Sequence, residues 1–211
     1  MTGPIVVATR SGHKLRELRA ILQVAGGPEV IDLTTAGVVY SPEEEEIEVF
    51  STFQDNALAK ARYFCERTGR PALADDSGLC VTALDDAPGV RSKRFSGRTD
   101  LSGAALDAAN NEYLLHLLRD VPESDRQAHY RCVLALVTPQ GSEQLFEGRC
   151  DGMILPEPRG SGGFGYDPLF YSDDLNASFG EVDVEAKNRI SHRSRALRNF
   201  ARAYAGGDLA L

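Results

Sequence analysis

The stretch Pro71 to Leu84, PALADDSGLCVTAL, constrains this chain most, because an apolar segment runs directly into two adjacent acids. Ala72 to Ala74 reads as a buried strand; Asp75 and Asp76 follow, then Ser77 and Gly78, then a second apolar run from Leu79. Carboxylates at the end of a buried strand are costly unless they bind a cation or take part in chemistry. A Ser-Gly pair favours a tight turn, so the expectation is a strand ending in two acids, with a turn at Ser77-Gly78 holding both side chains at one edge. The plainer alternative is a solvated turn, since Asp is itself a favoured turn residue.

The 211 residues suit one globular domain, read as residues 1–211 with a second lobe over about 126–171. With 42% hydrophobic and 26% charged residues, a core is available and disorder is not expected. A net charge of -8 argues against a nucleic-acid partner, which needs a basic footprint, but leaves room for local basic clusters that bind a small anion. Cys65, Cys80, Cys132 and Cys150 form no C-x-x-C pair, so they read as reduced, mostly buried thiols rather than a zinc site. The N-terminus lacks a charged n-region with an apolar stretch behind it, and no run approaches the roughly 20 apolar residues of a membrane span. A soluble, cytoplasmic protein without a membrane partner is expected.

Ile5 to Ala8 reads as a buried strand, followed by Thr9-Arg10-Ser11-Gly12-His13-Lys14 and a helix with Leu15, Leu18 and Leu22 at helical spacing, ending near Gly26-Gly27. Helix N-termini prefer acids, yet here Arg10, His13 and Lys14 gather at that end. Such a placement makes sense if an anion sits there, although the loop is no Walker A motif. Val30 to Leu33 reads as a second strand, and the acidic Pro42 to Glu48 as a solvated loop. Thr52 to Asp55 resembles a capping box opening a helix to about Arg67, with Phe53, Ala57, Ala61 and Phe64/Cys65 inward and Asn56 and Lys60 on another face.

Pro88-Gly89 and Ser96-Gly97 punctuate a loop, Ala104 to Arg119 reads as a helix, and Arg126 to Thr138 and Gln144 to Cys150 read as a hairpin. In Gly160 to Tyr171, GSGGFGYDPLFY, glycines flank Phe164 ahead of Tyr166 and Asp167, leaving an aromatic ring available for stacking. Lys187 to Arg193 leads into a last helix capped by Ser191, with Ala196, Leu197, Phe200 and Ala203 inward.

Five segments, VVATRSGHKLREL, TFQDNALAKA, ALADDSGLCVTALDDAPGV, GGFGYDPLF and KNRISHRSRAL, occur in an order that resembles the inosine/xanthosine triphosphate pyrophosphatase family, from Val6 to Leu197. That resemblance implies an elongated, two-lobed α/β fold with a mixed sheet and a central nucleotide cleft, generally as a homodimer. It implies Mg²⁺-dependent hydrolysis of ITP, dITP or XTP to the monophosphate and pyrophosphate. By position, Thr9, Arg10, Ser11, Gly12, His13 and Lys14 would wrap the triphosphate, with Asn56, Lys60 and Ser77 also on the substrate. Asp76 would accept a proton from the attacking water and bind metal with Asp75 and Glu48. Phe164 would stack on the base, Gly165, Tyr166 and Asp167 would fix the base edge or sugar, and Lys187, His192 and Arg193 would read the 6-oxo purine.

Two features depart from the family pattern. Its first loop commonly reads T-G-N-x-x-K, where this chain has Arg10 and Ser11, and Glu45, Glu46 and Glu48 compete for the metal-binding position, of which Glu48 is favoured here. Two other readings stand beside the leading one: a Maf-like pyrophosphatase for modified pyrimidine nucleotides, and a nucleotide-binding module without turnover.

Overall fold

A computed structural model describes residues 3–209; the outermost two positions at each end of the expected 1–211 domain lie outside them. Among the described residues, seven strands form one mixed sheet in the order β2-β1-β3-β4-β5-β6-β7, with helices flanking it. The strands are β1 (Ile5–Val7), β2 (Val30–Asp32), β3 (Ala72–Val81), β4 (Gln127–Val137), β5 (Glu143–Ile154), β6 (Phe170–Ser172) and β7 (Ala177–Ser178). The helices are α1 (Gly12–Ala25), α2 (Phe53–Thr68), α3 (Gly103–Leu118), α4 (Val184–Ile190) and α5 (His192–Gly206). β1 pairs in parallel with β2 and β3, whereas β6 runs antiparallel to β5 and β7. No described helix is long and apolar enough to cross a membrane.

Sequence chemistry sets the helix ends. The Ser11 hydroxyl accepts from Lys14 N–H at the start of α1, and Gly26, in the left-handed region, closes it with an N–H bond to the Leu22 carbonyl. Thr52 caps α2 through Asp55 N–H at 3.1 Å, which is one half of the expected capping box; the Asp55 carboxylate accepts from the Thr52 hydroxyl at 2.7 Å. The inward stripe Phe53, Ala57, Ala61, Phe64 and Cys65 is buried. All four cysteines are free and buried.

The central stretch differs from its expectation. Ala72 to Val81 is a single ten-residue strand with no turn at Ser77-Gly78, and the acids sit in its middle, only 4% and 8% exposed, rather than at an exposed end. The reason lies in the register. On β3, β1 pairs only with Ala72 and Leu73, whereas β3 has β4 as its neighbour on the other side and runs on as strand through the acids to Val81. The acidic segment at Pro42 also differs: Pro42–Glu46 is a 3-10 helix, in which Ser41 and Glu44 form a capping box. Sequence reading missed α4, whose Asp183 side chain caps Ala186 N–H; Ser191 is its C-cap and directly precedes α5. On α5, Ala201 joins Ala196, Leu197 and Phe200 in the core, while Ala203 is half-buried.

The described residues pack as two compact units, one of residues 3–76, 132–148 and 192–209, the other of 77–131 and 149–191. In the first, Ile5, Val7, Leu18, Ile21, Leu22, Leu73, Leu134, Leu197 and Phe200 form a core that fixes α1 and α5 against the strands. In the second, Leu79, Leu114, Leu118, Ile154, Phe170 and Phe179 do so, with Tyr130 edge-on to Phe170 at 4.7 Å between centroids.

The start of α5 rests against β5 at Gly148, where an added Cβ would lie 2.1 Å from the His192 carbonyl and 2.5 Å from Ala196 N. Both neighbours are backbone, so the clash can be relieved only by moving the helix. Gly148→Ala is expected to cost about 1–3 kcal/mol in urea unfolding; unchanged stability would show that the helix entrance is not fixed there.

Candidate active site

The residues singled out from sequence fall into two groups, one in each unit. The first unit holds Thr9 to Lys14, Glu48, Asn56, Lys60, Asp75, Asp76, His192 and Arg193; the second holds Ser77, Phe164 to Asp167 and Lys187.

In the first group, successive side chains of a strand point to opposite faces, so Asp75 and Asp76 enter different surroundings. Asp75 accepts from Lys14 Nζ at 2.9 Å and faces Arg193, whose Nε and Nη2 both lie 3.4 Å from its Oδ2. Burial alone would push this carboxyl up, but Lys14, Arg193 and Lys60 together hold it well below the usual carboxylate range. Arg193 is buried and gives Nη1 to Glu17 Oε2 at 2.5 Å. Burial works against its charge, but Glu17 and Asp75 more than compensate and hold the guanidinium firmly protonated.

Asp76 behaves oppositely. Burial pushes it up, Lys60 opposes this, the charge of Glu48 adds to the rise, and the result is a pKa of about 6. Its Oδ2 accepts from Asn56 Nδ2 at 3.0 Å. The same amide also bonds both polar backbone groups of Phe50, at 2.9 and 3.2 Å, so Asn56 ties Asp76 to the segment that follows Glu48. Lys60 pairs with Glu48. Burial disfavours charge on both partners, yet Glu48 is held below its ordinary range chiefly by Lys60, and Lys60 above its own chiefly by Glu48 and Asp75.

Glu45 and Glu48 differ in their contacts. Glu45 accepts from the Tyr40 hydroxyl at 2.7 Å, whereas Glu48 shares the field of Lys60, Lys14, Asp75 and Asp76. Glu44, not considered from sequence, takes Arg10 in a two-pronged pair, Nε at 2.9 Å and Nη2 at 2.7 Å, while Arg10 Nη1 reaches the Val38 carbonyl. Arg10 therefore braces the loop against the acidic 3-10 helix. In the loop itself, Ser11 N–H donates to Thr9 Oγ1 at 3.2 Å, the exposed His13 meets Arg16, and the first turn of α1 carries no acid. Glu17 also escaped the sequence reading. Its signal was position: three residues past Lys14, it shares that helix face.

Among the described residues, no three His, Cys, Asp or Glu side chains converge as a ready-made metal cage. The donor set nevertheless fits Mg²⁺, which takes one or two carboxylates, keeps several waters and selects oxygen ligands. Asp76, raised by burial and by the neighbouring Glu48, gains from a nearby cation.

In the second group, Phe164 is 40% exposed, with Lys187 Nζ 4.7 Å from its ring centroid. Asp167 is buried; its Oδ2 accepts from Lys187 Nζ at 2.6 Å and from Phe164 N–H at 2.8 Å. Tyr166 is buried, gives its hydroxyl to the Ser92 carbonyl at 2.8 Å, and has its phenol pushed up by burial. Ser77 is half-buried on β3. This group offers an exposed aromatic surface, a cation and an acceptor within one short loop and helix, an arrangement suited to a planar, polar-edged ring.

The two aspartates make opposite predictions for the metal-free protein. The folded pKa of Asp76 lies above its ordinary value of 3.8, so its contribution to stability is fully present below about pH 4 and is lost as pH rises through about 6. Asp76→Asn is therefore expected to stabilise the protein in EDTA at pH 7.5 by about 1–3 kcal/mol, the gain vanishing near pH 4. The folded pKa of Asp75 is depressed, so its contribution is present above its ordinary value and is lost as pH falls. Asp75→Asn leaves buried cations uncompensated and is expected to cost about 3–5 kcal/mol. Urea unfolding across this pH range checks both signs.

Comparison with known proteins agrees with this architecture. The Ham1 family model matches residues 5–203. The chain is 47% identical over 194 residues to a protein of Geobacter sulfurreducens named dITP/XTP pyrophosphatase, covering 92% of each. It is 44% identical over 203 residues to one of the same name from Thermus thermophilus, covering 96% of this chain and 92% of the relative. Among solved structures, a HAM1 protein from Coxiella burnetii superposes with a TM-score of 0.83 at 37% identity, covering 98% of this chain and 100% of the other. A nucleoside-triphosphatase / dITP/XTP pyrophosphatase from Mycobacterium abscessus gives 0.71 at 43% identity, covering 92% and 96%. With the family model spanning nearly its whole length and relatives this similar, the chain belongs to the Ham1 family.

Proposed function

We propose that this protein is a Mg²⁺-dependent dITP/XTP pyrophosphatase, hydrolysing ITP, dITP and XTP to the monophosphate and pyrophosphate and so clearing deaminated purines from the cytoplasmic nucleotide pool. The observation that carries this reading is the adjacent buried pair Asp75 and Asp76 among basic side chains: Asp75 takes Lys14 at 2.9 Å and faces Arg193, while Asp76 accepts from Asn56 at 3.0 Å in the field of Lys60 and Glu48. Buried neighbouring acids set among cations suit a site that takes a divalent cation with an anionic substrate.

In this reading the loop Thr9 to Lys14, with Lys60, Asn56 and Ser77, binds the triphosphate, whose charge of about −4 is matched by basic side chains and a helix N-terminus free of acids. Glu48, Asp75 and Asp76 would hold Mg²⁺, which when bound would polarise the phosphate and acidify water. Asp76 takes a proton from water as the water oxygen bonds to the α-phosphorus and the bond to the bridging oxygen breaks, releasing pyrophosphate. Phe164 stacks on the base, while Gly165, Tyr166, Asp167, Lys187 and His192 recognise its edge and the sugar; Arg193, expected from sequence to do the same, is instead committed to Glu17 and Asp75. A donor facing a 6-oxo group loses its partner when an amino group replaces the oxygen, at about 1–3 kcal/mol, which disfavours adenine. The chain is read as a single pyrophosphatase domain that works as a homodimer.

With Mg²⁺, pyrophosphate release from ITP, dITP and XTP is expected to far exceed release from ATP, GTP and dTTP, and to stop in EDTA. Asp76→Asn should lower kcat by about 10²–10⁴-fold. A preference for modified pyrimidine triphosphates would instead support the Maf-like reading. Nucleotide binding without turnover by the intact protein would support a binding module.

A further inference from the structure

Phe164 lies in a glycine-rich loop, yet the backbone around its ring is held on three successive peptide planes by three side chains. The plane between residues 163 and 164 is held where Phe164 N–H donates to Asp167 Oδ2 at 2.8 Å. The next is held where Gly165 N–H donates to Asp107 Oδ2 at 2.9 Å, and the third where the Gly165 carbonyl accepts from Asn111 Nδ2 at 3.0 Å. Fixing the planes on both sides of a residue fixes its φ and ψ. For Phe164 this sets the direction of the Cα–Cβ bond that carries the ring. Gly165 has φ of 63°, in the region that glycine enters freely, so without the clamp it would act as a hinge beside the aromatic ring.

Asp107 and Asn111 are four apart on α3 and therefore share a face. The helix is itself anchored, since the buried Asn110 accepts from Ser96 N–H at 2.8 Å and donates to the Lys93 carbonyl at 3.1 Å. Tyr166, one residue beyond the clamped glycine, bonds the Ser92 carbonyl of the same segment. Both ends of the contact are thus braced within one unit.

We infer that Asp107 and Asn111 are positioning residues that orient Phe164 for the base, and so govern affinity for the nucleobase rather than the phosphate chemistry. This inference rests on the proposed stacking role of Phe164. Two isosteric changes separate hydrogen bonding from packing. Asp107→Asn keeps an acceptor for Gly165 N–H, whereas Asn111→Asp removes the donor that the Gly165 carbonyl requires.

The test measures kcat and KM for ITP by formation of the monophosphate, together with the inhibition constant of inorganic tripolyphosphate, which has no base. Asp107→Ala and Asn111→Asp are expected to raise KM about tenfold, as partial loss of one base–aromatic stack implies, with kcat within about twofold and tripolyphosphate inhibition unchanged. Asp107→Asn should restore KM to near the wild-type value. An unchanged KM, or tripolyphosphate inhibition weakening in step with KM, would overturn the positioning role. A wild-type protein inert towards ITP would overturn the proposed function and this inference together, which distinguishes that failure from an active wild type with unaffected variants.

Discussion

The structure of the first unit depends on the buried charge cluster around Asp75. One carboxylate on β3 receives Lys14 from α1 and Arg193 from α5, and Arg193 in turn meets Glu17, also from α1. Each charge taken from water costs several kcal/mol, so none would persist inside a core without the others. Removing Asp75 leaves Arg193 with Glu17 alone, and removing Glu17 or Lys14 upsets the charge balance of the rest. The cluster thus joins a strand and two helices by a condition on charge balance, in addition to the apolar packing of Leu18, Leu22, Leu197 and Phe200 that surrounds the same elements.

The backbone then makes two neighbouring aspartates behave differently. Because β3 passes through both without a turn, alternation sends one carboxylate into the cations and the other towards Asn56, Lys60 and Glu48. The first is a permanent anion; the second is kept near its titration point by burial and a like charge. Two identical residue types acquire separate roles from surroundings alone, as acid–base chemistry at neutral pH demands.

Much of this was legible in the sequence, for identifiable reasons. Thr52, Gly26 and the stripe Phe53, Ala57, Ala61 and Phe64 are local signals, and each predicted its helix feature correctly. The exposed Phe164 was legible because flanking glycines fit a surface ring better than a core one. The turn read at Ser77-Gly78 did not form, since turn propensity yields to strand pairing where neighbours on the sheet can continue the ladder. Glu17, Glu44, Asp107 and Asn111 were not singled out because their partners, Arg193, Arg10 and Gly165, are between 34 and 176 positions away along the chain. A long-range ion pair or clamp leaves no periodicity in sequence. The short helix α4 escaped for a different reason: seven residues are too few to display a helical stripe.

Carbon NMR of aspartate-labelled, metal-free protein tests the split between the two acids directly, with the resonances assigned from Asp75→Asn and Asp76→Asn proteins. The Asp76 carboxyl is expected to titrate at about 6 while Asp75 stays ionised throughout the acid range in which the protein remains folded. Two carboxyls titrating together near the ordinary value of 3.8 would contradict it.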